Sequence, residues 1–221
     1  NIIENLNIEY LNNNKKINQL INNEDNNIFL FIGRYPLYLS GEYFNNREGA
    51  LEEYGGGILA DFYKSSQIDD INNKLKLKET LKSQINTSFE KILKNNYLIL
   101  VYPVPEVGFH VPKEIFKKYT YNKNDFLKKL NKDKYILTTS YDVYLERNKE
   151  VFELFDGIQN KNLYRFYPHK LFCNDKLKNR CITQDHDAVY YKDYNHLSYY
   201  GASIFVDNIF QDILLEVLEN R

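Results

Sequence analysis

The run Ile28–Ile32 constrains the fold more than any other stretch, because its side chains are all apolar and it lies between Asn-Asn and Gly33. A short, uninterrupted apolar run is typical of a strand that is buried on both faces of a parallel sheet. A second run, Tyr97–Tyr102, ends in Pro103-Val104-Pro105, where proline prevents further ladder hydrogen bonds. We therefore predict two buried strands.

Helical spacing between and after these runs predicts the remaining elements. In residues 70–96, apolar side chains recur at intervals of three and four residues, which indicates a long amphipathic helix. The further predicted elements are two short helices in 113–132, a helix in 140–155, a strand at 164–168 and a helix from 199 to about 218. Because strands alternate with helices, the sequence predicts an α/β fold with a mostly parallel sheet.

The chain of 221 residues is long enough for one medium-sized domain with a substantial core. Residues 1–27 predict a modest amphipathic helix that leads into this domain, and no linker divides the rest of 1–221. The chain contains no Met and begins with Asn1, so we expect it to be a piece of a longer or processed protein.

Charge and hydropathy argue against two classes of partner. The 29 basic residues are offset by 30 acidic ones, which argues against a nucleic acid held by phosphate contacts. No apolar run reaches the roughly 18 residues of a membrane span, so we expect none inside this chain. We also expect no cofactor.

The segment Tyr190–Ala202 carries the clearest chemical pattern in the chain. Asp193 and His196 lie three residues apart in a short polar loop, and Ser198 is well placed to cap the closing helix. A carboxylate at this spacing can hold an imidazole in one tautomer, which leaves the other ring nitrogen to take a proton from a hydroxyl nucleophile. Such pairs also arise by chance, so the pattern gains weight from its position between a predicted strand and the final helix.

Cys173 and Cys181 lie in the polar loop before this segment. A disulfide between them would brace the loop and imply an oxidising compartment, whereas two free thiols would fit a reducing cytosol. The spacing leaves both alternatives open. Two cysteines are a poor zinc site even with His169 and His186 nearby, so we expect no metal.

Four stretches together carry a family resemblance: Phe29–Leu39, Tyr102–Pro112, the Cys173/Cys181 pair and Tyr191–Ala202. They resemble the SGNH-hydrolase-like domain that is fused to membrane acyltransferases, the acyltransferase family 3 or O-antigen acetylase type. The resemblance covers most of the chain from about residue 28 to residue 206. The second and last stretches are the more specific, because they match in order as well as in composition.

The resemblance implies a flavodoxin-like, three-layer SGNH sandwich with a Ser-His-Asp site. Asp193 would orient His196, and His196 would act as general base on a serine. The family's Gly-Asp-Ser motif is absent from this chain, so the resemblance implies that the serine and one or two strands lie upstream of Asn1. The chain alone is then expected to perform no acyl chemistry.

Gly33 and Arg34 stand where typical SGNH enzymes have Gly-x-Asn-Asp, in which the Asn side chain stabilises an oxyanion. The membrane-fused subgroup is similar to this chain in having an Arg there, so Gly33 and Arg34 are candidates for oxyanion or substrate contacts. The alternative is that Arg34 pairs with a loop carboxylate such as Glu48 or Glu52.

The resemblance also implies a function. It suggests the periplasmic or extracytoplasmic portion of a membrane O-acyltransferase, which places acetyl or acyl groups on hydroxyls of cell-surface polysaccharide such as O-antigen, lipopolysaccharide or peptidoglycan. The implied partners are a glycan acceptor and an acyl donor delivered by the membrane domain, with attachment to the membrane through the missing N-terminal region. The alternatives are a carbohydrate esterase or deacetylase with the same triad, and an inactive truncated remnant or glycan-binding module.

Tyrosines surround the Asp193/His196 pair in the sequence. A sugar could stack on some of these rings, because tyrosine combines an apolar face with a polar tip, although such rings more often pack in a core. We expect the core role for at least Tyr191. The tyrosines concerned are Tyr190, Tyr191, Tyr194, Tyr199 and Tyr200.

Overall fold

The main sheet has three parallel strands in the computed structural model, which describes residues 15–22, 25–52, 71–120 and 137–220. The strands are β1 (Ile28–Phe31), β2 (Tyr97–Val101) and, third in the sheet, β4 (Leu163–Phe166), and they lie in the order β1-β2-β4. The register places Phe29 opposite Leu98 and Ile99 opposite Tyr164. The predicted parallel sheet is therefore confirmed, with the third strand beginning one residue earlier than expected.

A small second sheet pairs β3 (Thr138–Ser140) antiparallel with β5 (Arg180–Ile182). The sequence did not predict it, because strands of three residues are too short to show an alternating pattern.

The helices of the described residues lie mostly where the apolar spacing predicted them. They are α1 (15–22), α2 (Tyr35–Ser40), α3 (Ile71–Leu93), α4 (Val111–Thr120), α5 (Tyr141–Asp156), α6 (His169–Phe172), α7 (Tyr199–Ile209) and α8 (Leu215–Glu219). A π-helical turn, Phe210–Leu214, joins α7 to α8, so the predicted closing helix is almost continuous. Of the two short helices predicted in 113–132, α4 accounts for the first part, and residues 121–136 lie outside the described residues.

Helix α2 was not predicted, because Pro36 and the nearby glycines suggested a loop. Pro36 lies in the first turn of this helix, where the backbone N–H that proline lacks would have no intrahelical partner. The remainder of the predicted helical lead-in, residues 1–14 and 23–24, lies outside the described residues. The glycines after β1 also predict a long glycine-rich loop through residues 55–57, and those three residues lie outside the described residues as well.

Strand β2 is the centre of three layers. Leu98 and Leu100 point to one face, where they pack with Phe89 of α3 and Phe155 of α5. Ile99 and Val101 point to the opposite face, where they pack with Phe205, Ile209 and other apolar residues of the closing helix. Because successive side chains of a strand alternate, an uninterrupted apolar run is required for β2 to lie between two helical layers. This arrangement confirms the α/β sandwich.

Strand β1 departs from its prediction. It lies at one end of the described sheet, and Leu30 is 53% exposed while Ile32, just after the strand, is 52% exposed. Phe29 and Phe31 do pack toward α3, whereas on the other face only Ile28 packs against the cluster of the closing helix and Leu30 is left exposed. The prediction of burial on both faces is therefore wrong for β1 in the described part of the chain, since the closing helix does not cover Leu30.

No helix among the described residues is both long enough and apolar enough to cross a membrane.

Candidate active site

Asp193 and His196 form a hydrogen-bonded pair in the turn that follows Tyr191. His196 Nδ1 lies 2.7 Å from Asp193 Oδ2, and the other carboxylate oxygen accepts hydrogen bonds from the backbone amides of Asn195 (3.0 Å) and His196 (2.8 Å). Burial of the Asp193 carboxyl opposes its ionisation, but these amide and ring hydrogen bonds outweigh burial and hold the pKa of Asp193 below its ordinary value. The ionised carboxylate therefore accepts a hydrogen bond from Nδ1–H, which leaves Nε2 as the basic nitrogen.

The turn is attached to the chain segment that follows β2. The backbone N–H of Val107 donates to the carbonyl of Tyr194 at 3.0 Å, and the hydroxyl of Tyr191 donates to the carbonyl of Pro105 at 2.9 Å. Tyr191 is buried, as the sequence predicted. The Oγ atom of Ser198 accepts from the amide of Gly201 at 3.1 Å, which confirms the predicted cap of α7.

His196 lines a cavity of about 520 Å³ at the carboxyl ends of β1 and β2. Gly33 and Arg34, which follow β1, form one wall, and Pro103 and Glu106, which follow β2, form another. The remaining wall is mostly apolar and includes Leu197, Ala202, Phe205 and Val206. Ligand sites of open parallel sheets occupy this edge, so the structure gathers His196, Gly33 and Arg34 at the expected place.

Arg34 is engaged by two buried carboxylates. Its Nε lies 2.6 Å from Glu106 Oε1, its Nη1 lies 2.9 Å from Glu52 Oε1, and its Nη2 contacts both carboxylates. Although burial favours the neutral guanidine, hydrogen bonds and charge from Glu52 and Glu106 raise the pKa of Arg34 above its ordinary value. Of the two loop carboxylates considered from the sequence, Glu52 is thus a partner of Arg34, whereas Glu48 pairs with Arg180.

A second arginine extends this network. Arg147 of α5 donates from Nε to Glu106 Oε2 at 3.1 Å and from Nη1 to Ser40 Oγ at 3.0 Å. Glu106 is only 5% exposed, so its charge is balanced by the two guanidinium groups rather than by water.

A family model described as an SGNH domain (fused to AT3 domains) matches residues 4–211. The chain belongs to this family. Searches of curated proteins and of solved structures found no match. The family assignment makes the chain an acyltransferase-associated, hydrolase-like domain and fits a membrane acyltransferase as its partner.

None of the serines in the described part of this SGNH domain lines the cavity beside His196. The Nε2 atom of His196 has no hydrogen-bond partner among the described residues. The geometry therefore places a hydrogen-bonded histidine and carboxylate beside a cavity that has space for further groups.

The cysteines of this SGNH domain form a disulfide, Cys173–Cys181. Both are buried beside Phe172 and Ile182, so the bridge braces the base of the polar loop. Neither nearby histidine completes a metal site: His169 lies in an aromatic cluster, and His186 is exposed beside Asp187. Within the described ranges, no group of three or more His, Cys, Asp or Glu side chains could hold a metal ion.

The five tyrosines near the site lie away from the cavity, since none of them belongs to its lining. Tyr190 and Tyr191 are buried, Tyr194 contacts the ring of His110, and Tyr200 stacks on Tyr190.

Sequence reasoning missed three residues of the network: Glu106, Arg147 and Asn195. Asn195 Nδ2 donates to Glu52 Oε1 at 2.7 Å, which links the Asp193/His196 turn to the ion pairs. Glu106 carried a usable signal, because it is a lone acidic residue directly after a buried strand and between Pro105 and Val107. Arg147 gave no such signal, since it lies among other charged residues of a helix.

Proposed function

We propose that this chain is the extracytoplasmic SGNH-like domain of a membrane O-acyltransferase that transfers acetyl or acyl groups to hydroxyls of cell-surface polysaccharide. The observation that carries the proposal is the 2.7 Å contact between Asp193 and His196 beside a cavity at the carboxyl ends of β1 and β2. The family supports it, because these domains are fused to AT3 domains. The proposal treats residues 1–221 as a single domain.

In the proposed reaction, His196 is the general base and Asp193 orients it. With Nδ1–H donated to Asp193, the lone pair of Nε2 takes the proton of a serine hydroxyl as the serine oxygen attacks the carbonyl of the acyl donor. Protonated His196 returns that proton to the donor's leaving group, and the serine holds the acyl group as an ester. Neutral His196 next takes the proton of a sugar hydroxyl as the sugar oxygen attacks this ester, and it gives the proton to the departing serine oxygen, which regenerates the serine. The serine would come from outside the described residues. Within the described part of the chain, β1 is an edge strand and its Leu30 is exposed, which offers a place for additional structure.

Gly33 and Arg34 are the proposed contacts to the oxyanion or substrate, because both line the cavity with His196. Most of the N–H groups of Arg34 already point at Glu52 and Glu106, so a direct contact with an oxyanion would use the remaining N–H group of Nη1 or exchange one of these bonds. A contact from the backbone N–H of Gly33 would require no exchange of an Arg34 bond.

The disulfide supports the proposed periplasmic or extracytoplasmic location, because disulfides persist in oxidising compartments. The proposed partners are a glycan acceptor, an acyl donor delivered by the membrane domain, and the membrane itself through that domain. No nucleic acid is part of the proposal, since the formal net charge is -1.

Substitution of His196 in the intact protein tests the proposal. We expect His196→Ala to abolish acylation of the glycan, measured by mass spectrometry of released sugars. The matched control is His186→Ala, because His186 also contacts an acidic neighbour, at 3.0 Å from Asp187, but does not line the cavity. Unchanged acylation in His196→Ala would overturn the proposed role and favour the inactive or glycan-binding alternative.

A carbohydrate esterase is the second candidate function. The observation that favours it is the 66% exposure of the His196 side chain, since an exposed base admits water as readily as a sugar hydroxyl. A chromogenic acetate ester offered with and without a glycan acceptor separates the two functions. Hydrolysis that is indifferent to the acceptor would favour the esterase.

A further inference from the structure

Asn195, which lies between Asp193 and His196, is tied to a buried carboxylate from a distant loop. Its Nδ2 atom donates to Glu52 Oε1 at 2.7 Å, and the same oxygen accepts from Arg34 Nη1 at 2.9 Å. Glu52 is only 8% exposed. The turn that carries the histidine is therefore connected through one side-chain hydrogen bond to the ion pairs at the end of the sheet.

We propose that Glu52 is a positioning residue for His196 and acts through Asn195. The inference rests on the proposed function, because it takes His196 as the catalytic base. It assigns a role to the ion-pair network, which touches neither Asp193 nor the imidazole directly.

Packing alone does not fix the imidazole, because the His196 side chain is mostly exposed. The ring is held by Asp193 Oδ2, and the Asp193 carboxylate is held in turn by the backbone amides of Asn195 and His196. The direction of Nε2 thus depends on the backbone of the turn. A hydrogen bond that holds the middle residue of this turn restrains the imidazole as well.

Glu52 is a firm anchor because its own position is fixed. Arg34 binds both of its oxygens, and Arg34 is bound in turn by Glu106, which Arg147 also contacts. The buried Glu52 carboxylate cannot move away from Arg34 without leaving its own charge unpaired at low dielectric, which is strongly unfavourable. Arg34 follows β1 and Glu106 follows β2, so the network connects the turn to the ends of two strands of the sheet.

The competing explanation is that Asn195 contacts the substrate itself, because it also lines the cavity. The two explanations differ in what removal of Glu52 does. If Asn195 acts on the substrate, loss of Glu52 frees its amide and leaves kcat largely intact. If Glu52 positions His196 through Asn195, loss of either side chain has the same effect on kcat.

The test is a double-mutant cycle in the intact protein with Glu52→Ala and Asn195→Ala. We expect each variant to lower kcat between about 10- and 100-fold with little change in KM, because a misplaced base slows proton transfer without weakening binding. The double variant should be no worse than the single variants. Glu52→Gln should restore part of kcat, since its amide oxygen can still accept from Asn195. Additive losses, or normal kcat in Glu52→Ala, would overturn the proposal.

Glu48→Gln is the matched control, because Glu48 comes from the same loop but pairs with Arg180, whereas the side chain of Asn195 bonds Glu52. Asn195→Ala keeps the test informative if Glu52→Ala fails to fold, since it removes one side-chain hydrogen bond to Glu52 and leaves every ion pair in place.

Hydrogen exchange of the Asn195 and His196 amides supplies a readout that does not depend on acyl transfer. We expect exchange about tenfold faster in Asn195→Ala and Glu52→Ala and unchanged exchange in Glu48→Gln, because these amides are the donors to Asp193 Oδ1. Unchanged exchange in both former variants, while His196→Ala still abolishes acylation, would refute the positioning role alone. Faster exchange in a protein that acylates nothing would refute the proposed function alone.

Discussion

Arg34 and Glu106 form a buried ion pair that joins the residues following β1 to those following β2, with Arg34 Nε 2.6 Å from Glu106 Oε1. Glu106 also accepts from Arg147 Nε at 3.1 Å. A buried carboxylate held between two guanidinium groups is compensated only while every partner is present. The pair therefore ties the walls of the cavity to each other and to α5.

Removal of the Glu106 carboxylate is expected to destabilise the protein strongly. Glu106→Ala leaves Arg34 and Arg147 without a shared buried partner, and losses of this kind are about 3–5 kcal/mol. The free energy of unfolding, measured by urea denaturation, checks the value. Glu146→Ala is the control, because its ion pair with Arg47 is exposed and should contribute little. Similar midpoints for the two variants would contradict the structural account of the network.

Buried His169 is expected to make part of the free energy of unfolding sensitive to acid. It is buried against Tyr141, Tyr144 and Phe152, and burial, aided by the positive charge of Lys170, lowers its pKa to about 4. The unfolded chain, with a pKa of about 6.5, takes up the proton first. The contribution of neutral His169 is therefore complete above about pH 6.5 and is lost as the pH falls toward 4.

His169→Phe should remove this component, because phenylalanine keeps the ring contacts but cannot be protonated. Urea midpoints measured from pH 7 to pH 4 (about the interval between the two pKa values) should fall less steeply in His169→Phe than in the parent protein. His186→Phe is the control, since His186 is exposed and should leave the slope unchanged. A slope unaffected by His169→Phe would refute the assignment.

The predictable parts of the fold are those that local periodicity determines. β2 was predicted from its apolar run, and the closing helix from its wide apolar face, because both elements bury long continuous surfaces. The exposure of Leu30 in β1 was not predictable, because the apolar run does not show whether a neighbouring layer covers that face of the strand.

In the candidate site, too, contacts between residues close in sequence were predictable and contacts between distant residues were not. The Asp193/His196 contact is local, so three residues of spacing were enough to predict it. The partners of Arg34 are not local: Glu52 and Glu106 lie 18 and 72 residues away, and the parallel pairing of β1 with β2 brings Arg34 and Glu106 together. Spacing likewise could not decide between a disulfide and two thiols.

The disulfide is expected to be present in the native protein and to stabilise it. Mass spectrometry of unreduced peptides should show Cys173 joined to Cys181, whereas two alkylatable thiols would contradict the structure. The Cys173→Ser, Cys181→Ser double variant should lose about 2–4 kcal/mol of unfolding free energy, because the unfolded chain is no longer restrained. Reduction of the parent protein should lower its urea midpoint by a similar amount, and reduction of the variant should change nothing.

Gly201 sets the distance between α7 and the strand-like segment before the Asp193/His196 turn. A Cβ atom there would lie 2.2 Å from the carbonyl oxygen of Tyr190, and that oxygen is itself fixed by the amide of Ser198 at 2.8 Å. Since both sides of the contact are backbone, Gly201→Ala must displace the helix start or the turn. We expect a loss of about 1–3 kcal/mol, even though alanine is ordinarily the better helix former.

Gly157→Ala is the matched control for Gly201→Ala. Gly157 has a φ of -67°, and its nearest non-neighbouring atom would be 3.4 Å from a new Cβ, so alanine fits without a shift. This variant should be neutral or slightly stabilised, because alanine reduces the freedom of the unfolded chain. The two substitutions thus add the same methyl group with opposite expected signs. Equal stabilisation of both variants in urea denaturation would show that α7 does not approach Tyr190 as closely as the structure has it.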